Sequence, residues 1–431
     1  MSIAKHLLMV TGSDYTPQVY QGFERLRQDG VRLSLLSDGS FTPRPHIFDK
    51  HHALNLRDTS EVMRSVETWE DRPDAVANRS SEWLTPLVSL ITERFGLIGN
   101  SPHTAFLCRS KYHMRQHMAD YKLPSVPFVL CRSHEEICAA VAQLGTRCVA
   151  KPIGGNASYG TFVVDSTTTA LEVQQMYQRS VDYLRFKAID GDVFAFSSEE
   201  LRSLGCESYV DMVTDYIVEG FIEGPEISID SLVVNGKATI MGIAKQTRMA
   251  PPYFVQLAEC MPFCCETDLR HELELLNQAT VSAFGITNSP VHLEIILSPQ
   301  GPVLVEIACR IGGDNIHDAV LQTTGYHLMY EAACIALGRP NALTPETVAH
   351  TAMAYILPER SGVVKSCTVP QAAREHPALS EISIEVSPGQ KVVPPPIAFD
   401  FLGYVQAKGV TPEQAAMHLR DLLDMVTISY E

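Results

Sequence analysis

The stretch Val291–Gly313, "VHLEIILSPQGPVLVEIACRIGG", places two glutamates inside runs that otherwise read as buried strand. Val291 to Leu297 and Pro302 to Ile307 are apolar and rich in β-branched residues, and "SPQG" at Ser298 to Gly301 is a turn signal that joins them as a hairpin. An unpaired carboxylate buried in such a strand costs on the order of several kcal/mol, so Glu294 and Glu306 require something cationic. Glu294 falls opposite Val305 or Glu306 depending on a single residue of register, and the period of two puts His292 on the same face as Glu294. Two carboxylates converging on one face suit Mg²⁺, with Mn²⁺ as the alternative, because such ions take one or two carboxylates plus substrate phosphates. Arg310 lies four residues beyond Glu306 and is followed by Gly312-Gly313, a turn that lets backbone approach a ligand. A buried Glu–Arg ion pair would use the same residues.

Upstream, "VAKPIGGNASYGTFVV" at Val149–Val164 nearly spells a phosphate loop. Gly155 and Gly160 have the right spacing, but Thr161 follows where a Walker loop has lysine, and Lys151 precedes the loop instead. A glycine-rich hairpin whose backbone N–H groups and Ser158 hydroxyl close over phosphates, entered by a strand lysine, surrounds a triphosphate with positive potential. An exposed hairpin with a stray lysine is the competing reading. In "YIVEGFIEGPEISID", Glu219 to Ile222, including Phe221, offers backbone groups and an apolar patch for an adenine ring, and Glu226 could accept from ribose hydroxyls.

The rest of the chain bounds these readings. A sequence of 431 residues, 45% hydrophobic and 19% charged, buries a full core and divides into about three domains at ~150 residues each. No run approaches the ~18 apolar residues of a membrane span, and the N-terminal "MSIAKHLLMVTGSD" lacks the apolar length of a secretion signal, so a cytoplasmic location is expected. With 34 Lys+Arg against 50 Asp+Glu, the net charge of −16 repels nucleic acid and anionic membrane. The 11 cysteines are odd in number and scattered, and even Cys260, Cys264 and Cys265 read as incidental thiols.

"KHLLMV", a helical stretch and "VRLSLLS" open an α/β domain over residues 1–105 that shapes a substrate cleft; "TGSD" lacks the dinucleotide fingerprint. A helix from Lys111 must end before Pro124. Residues 106–349 are β-rich, with a hairpin at "VNGK" (Val234 to Lys237) and a lid over about 125–220. The Pro- and Val-rich strands of 350–431 form a small C-terminal β-rich domain.

The succession Lys111, Lys151, glycine loop, Glu219 to Ile222, Glu226, Glu294, Glu306, Arg310 closely resembles the ATP-grasp superfamily. "LVEIACRIGGDNI" and "GYVQAKGVTPEQA" look like its carboxylate–amine ligases of the L-amino acid ligase type. The resemblance implies an α/β ATP-grasp fold, ATP with Mg²⁺, and a homodimer. It makes Lys111 and Lys151 phosphate ligands, Gly154 to Gly160 the flap, Glu219 to Ile222 the adenine hinge and Glu226 the ribose contact, with His292 beside the nucleotide. Glu294 and Glu306 become metal ligands, and Arg310 and Gly313 hold the reacting carboxylate. The implied reaction joins a carboxylate to the amine of an amino acid through an acyl phosphate, releasing ADP and phosphate. A carboxylase acting through carboxyphosphate and a non-catalytic nucleotide-binding regulator are the rivals.

Two departures stand out. The superfamily's Glu-x-Asn-x-Arg is Glu306-Ile-Ala308-Cys-Arg310 here, which leaves out one metal ligand. The branch's F-x-E-x-G-H-x-x-P is "FVQLAECMP", Phe254 to Pro262, with Gln256 and Glu259 at the Glu and His positions. A neutral Gln256 and an acidic Glu259 in a substrate loop lead to the expectation of a modified or diamino acid as the activated substrate.

Overall fold

The computed structural model describes residues 4–145, 147–155, 158–190, 202, 210–251, 254–313, 315–395 and 400–431. Its first sheet is parallel, with strands β1 (His6–Thr11), β2 (Arg32–Ser37), β3 (Lys50–Ala53) and β4 (Ala75–Ala77) in the order β3-β2-β1-β4. The connection from β1 to β2 is the helix Pro17–Gln28, started by proline at its first turn and burying Val19, Tyr20, Phe23 and Leu26 at helical spacing. Strand order reverses at β1, which has β2 on one side and β4 on the other, and open α/β sheets bind ligands at the carboxyl edge of such a point. Thr16, after β1, and Arg79, Ser80 and Glu82, after β4, all line one large cavity.

A second, antiparallel sheet contains β5 (Phe128–Cys131), β6 (Cys148–Pro152), β7 (Phe162–Val164) and β8 (Tyr216–Gly220) in the order β5-β8-β6-β7. Its own core, including Ile137, Val141, Phe162, Val173 and Val218, is shared with helices His134–Leu144 and Ala170–Asp190. Lys151 lies on β6 and Glu219 on β8, as neighbours in this sheet.

The third sheet is the frame of the molecule. It comprises β9 (Glu226–Val234), β10 (Lys237–Arg248), β11 (Gln256–Met261), β12 (Ser289–Ser298), β13 (Gly301–Ala308), β14 (His350–Ile356), β16 (Leu379–Ile384) and β18 (Gly403–Gly409). Their order is β13-β12-β9-β10-β11-β14-β18-β16, so three strands of the C-terminal β-rich part extend the central sheet. The remaining three, β15 (Gly362–Thr368), β17 (Lys391–Val392) and β19 (Thr427–Tyr430), form a small separate sheet. The hairpin expected at "VNGK" joins β9 to β10 with Asn235 and Gly236 at φ 51° and 77°, the two positive values that a two-residue turn of matching twist requires. "SPQG" joins β12 to β13, and the helix from Lys111 ends at Asp120, before Pro124. Among the described residues, no helix is long and apolar enough to cross a membrane.

Candidate active site

The register left open by the sequence is settled by a bulge. Glu294 pairs with Glu306 and Ile295 with Leu304, so Val305 is the extra residue of β13. Both carboxylates therefore leave the same face of the sheet, toward a cavity of about 530 Å³. Across β9, His292 faces Asp230, Glu294 faces Ser228 and Ile296 faces Glu226, which puts Glu226 on that face too.

Four ion pairs organise the cavity wall. Lys111, the first residue of its helix, donates to Glu306 Oε1 at 2.9 Å and to the Gly155 carbonyl at 2.8 Å, tying the glycine loop to the carboxylate pair. Burial, reinforced by Glu294 and Glu82 against the pull of Lys111, raises the Glu306 pKa above the ordinary carboxylate value. Lys151 Nζ lies 2.8 Å from Glu219 Oε2. Arg310 donates to Glu82 Oε2 at 2.8 Å, and Arg109 approaches the other oxygen at 3.5 Å. Burial pushes the Glu82 carboxyl up, but Arg310, Arg109 and Lys111 more than reverse this and hold it at about 2.

The fourth pair belongs to a residue that sequence reasoning missed. Arg248 donates to Glu226 at 2.5 Å and to the Ser158 hydroxyl at 3.0 Å, and comes within 3.8 Å of Glu294. One guanidinium thus bridges the glycine loop, Glu226 and the Glu294–Glu306 pair. Its signal was weak, since "KQTRMA" reads as an ordinary strand end. Glu82 and Arg115 were missed for the same kind of reason: each lies far in sequence from what it holds.

The Glu219 carboxylate is engaged by a buried network, which leaves its backbone and Phe221 and Ile222 to face the cavity. Arg115 donates to both Glu219 oxygens, at 2.6 and 3.2 Å, and to the carbonyls of Leu304 and Val305 at 2.6 and 2.9 Å. It thereby fastens the bulge of β13 to the second sheet. Burial raises the Glu219 pKa, and Arg115 and then Lys151 outweigh it, leaving a value of about 2. Because this folded-state value lies below the ordinary one, the stabilisation is complete above about pH 4.5 and is lost as pH falls toward 2. Arg115→Ala strands a buried carboxylate and is expected to lower stability at pH 7 by roughly 3–5 kcal/mol, with much of that deficit vanishing in acid. Denaturant titrations of both proteins at pH 7 and pH 3 check it; an equal deficit at both pH values would mean that packing, not charge, is what Arg115 supplies.

His292 lines the cavity and is tethered through Nδ1 to Asp230 at 3.1 Å; burial opposes its protonation, but Asp230 outweighs that and raises its pKa. Gly312 makes this pair fit, since a Cβ there would lie 2.7 Å from Asp230 Oδ1 and 2.8 Å from His292 Nδ1. Gly313 borders the open cavity with nothing within 4 Å of where a Cβ would stand. Ala308, at the position where the superfamily motif has Asn, pairs with His292 across the ladder. Asn156 and Ala157 of the glycine loop lie outside the described residues.

The "FVQLAECMP" segment is a strand paired on both sides, contrary to a loop reading. A bulge between Thr247 and Arg248 sets Gln256 opposite Arg248 and Glu259 opposite Gln246, so two residues three apart share one face. Gln256 lines the cavity. Glu259 does not reach the wall: its side chain is buried and accepts from Gln246 Nε2 at 3.3 Å. The expectation that Glu259 meets a substrate ammonium directly is therefore corrected, because Gln246 stands over it.

Two family models match this chain. Residues 144–318 match the ATP-grasp domain, the class whose fold the chain has. Residues 354–431 match L-amino acid ligase C-terminal domain 2, and the chain is accordingly a homologue of the L-amino acid ligases and carnosine synthases. It is 23% identical to the L-arginine-specific L-amino acid ligase of Bacillus subtilis over 84% of this chain and 82% of that one. It is also 23% identical to carnosine synthase 1 of Gallus gallus over 74% of this chain, but it spans only 34% of that protein's length. The crystal structure of an L-amino acid ligase from Bacillus licheniformis shares its fold, with a TM-score of 0.78, 20% identity and full coverage of both chains.

Proposed function

We propose that this protein is an ATP-dependent carboxylate–amine ligase that forms an amide bond between a carboxylic acid and the amine of an amino acid. The observation that carries this is the Glu294–Glu306 pair facing the same cavity as Lys111, Lys151 and Arg310. A pure nucleotide binder has no need of a charge set aimed at the γ-phosphate.

In this reading the adenine lies against Phe221 and Ile222, the ribose is near Glu226, and the phosphates run beneath the Gly155–Gly160 loop. Glu294 and Glu306 hold Mg²⁺, or Mn²⁺ in its place, and their hard, paired oxygens fit such an ion. When bound, the metal neutralises charge on the phosphate oxygens. Lys111 and Lys151 add positive charge to the transferring group without any reorganisation. A substrate carboxylate oxygen attacks the γ-phosphorus, ADP leaves, and Arg310 holds the acyl phosphate. The amine nitrogen then attacks the acyl carbon, the C–O bond to phosphate breaks, and the nitrogen loses a proton. The family resemblance adds a homodimer, and the composition a cytoplasmic location.

The products test the mechanism. Phosphorus NMR of a spent reaction containing ATP, Mg²⁺ and a mixture of amino acids is expected to show ADP and inorganic phosphate. AMP with pyrophosphate would rule out the acyl-phosphate route, and ADP formed only with bicarbonate would favour the carboxylase rival.

A further inference from the structure

Away from the carboxylate pair the cavity changes character. Met353 and Tyr355 of β14, Tyr404 of β18 and Phe401 just before that strand line it, together with the neutral amides Gln246 of β10 and Gln256 of β11. Tyr355 and Tyr404 are cross-strand partners, and Met353 lies two residues from Tyr355, so all three side chains leave the same face of the sheet. The Tyr355 and Phe401 rings stand 4.4 Å apart, tilted by 33°. Both are half-buried and border the cavity, with Met353 and Tyr404 buried beside them.

This wall adjoins the segment that carries Arg310. Arg310 to Gly313 leads into helix Ile316–Thr324, which packs on β10, β11 and β14, and Gly313 and Ile316 both line the cavity. Asn315, between those two, reaches the Tyr404 hydroxyl. A Cβ at Gly313 would meet nothing within 4 Å, so the space beside it is open. A carboxylate held at Arg310 thus has room next to it, and the rings of β14 and β18 border that room.

A cavity lined by aromatic side chains with a few fixed polar groups is the usual form of a small-molecule site. A further ring packs well against a tilted aromatic pair, and the Met353 thioether adds a polarisable contact. The amides matter as much as the rings. Gln256 is neutral where the motif of the resembling branch has glutamate, so it supplies no charge for a second ammonium.

We infer that Met353, Tyr355, Phe401 and Tyr404 form a side-chain pocket for an uncharged aromatic amino acid whose carboxylate lies at Arg310. This rests on the ligase reading above, and it replaces the second ammonium expected from Gln256 and Glu259 with an uncharged ring.

The test uses the full chain with ATP, Mg²⁺ and hydroxylamine as a common amine, so that the hydroxamate formed reports which acid is activated. L-phenylalanine, L-alanine and L-lysine are compared, with calorimetric binding of each beside a non-hydrolysable ATP analogue. Wild type is expected to favour L-phenylalanine over L-alanine by roughly 10- to 100-fold in kcat/KM, the gain from burying a phenyl group, and to favour it over L-lysine as well. Tyr355→Ala and Phe401→Ala should each erase most of that preference, with L-alanine within about threefold of wild type and the KM for ATP unchanged, while Tyr355→Phe keeps it. A merely structural role would slow all three acids alike. If Tyr355→Ala does not fold, Phe401→Ala, outside the strands, decides. Equal use of L-phenylalanine and L-alanine, no binding of any of the three, or a preference that survives both substitutions would overturn the pocket. So would a preference for L-lysine, which would point to Glu385, an exposed acid that lines the same cavity. Binding selective for L-phenylalanine with no ADP or hydroxamate from any acid would sink the ligase reading and leave the pocket standing.

Discussion

Glu294→Gln and Glu306→Gln are each expected to lower steady-state ADP release by about 10³-fold or more, and the double variant to be little worse than either single one. The two carboxylates face each other across one ladder position, and in the proposed reading they would hold one ion, so losing either charge removes the unit. An amide keeps the shape and one oxygen but not the charge. Folding should survive, because the Glu306→Gln amide oxygen can still accept from Lys111, and the charge lost from the ion pair is offset by the burial that already raises the Glu306 carboxyl pKa. ADP release measured over a range of Mg²⁺ concentrations, with thermal melts beside it, checks both halves. Near-wild-type turnover in a Gln variant at ordinary Mg²⁺, or a large drop in Tm, would make the pair a structural ion pair with Lys111 instead.

Much of this site was legible because it is built from local pattern. Glu294 and Glu306 each interrupt an apolar strand pattern, where a charge asks for an explanation, and Lys151, the glycine loop and Arg310 stand beside strand ends in short recognisable stretches. The register was legible only to within one residue, because the period of two cannot see a bulge, and Val305 is an inserted residue whose carbonyl is taken up by Arg115. What stayed hidden is what the topology brings from afar. Glu82 sits in an unremarkable "SSEWL" and meets Arg310 only because β4 ends at the cleft. The same blindness misplaced Glu259. Its spacing from Gln256 seemed to describe a loop, whereas a second bulge puts both on one face and a neighbouring strand covers one of them.

Arg310→Ala is expected to cost about 10²- to 10³-fold in kcat/KM for the carboxylate substrate while leaving the KM for ATP nearly unchanged. The difficulty is that Arg310 is also structural. Its guanidinium is the closest partner of Glu82, a 7% exposed carboxylate whose other cation, Arg109, stands at 3.5 Å. Removing Arg310 leaves Glu82 under-compensated in a buried site, so a loss of activity alone would be ambiguous, and a stability cost of roughly 3 kcal/mol is expected beside it. Glu82→Gln separates the two roles, because a neutral amide needs no countercharge. The pair Glu82→Gln and Arg310→Ala together should regain most of the lost Tm and none of the lost kcat/KM. Glu82→Gln by itself should keep Arg310 but free it from its tether, costing about tenfold through misplacement of the guanidinium. Arg310→Lys retains charge without the planar fork that grips a carboxylate at two points, and should recover little. If the double variant recovers activity along with stability, Arg310 serves only to neutralise Glu82, and the carboxylate must be held elsewhere on the cavity wall.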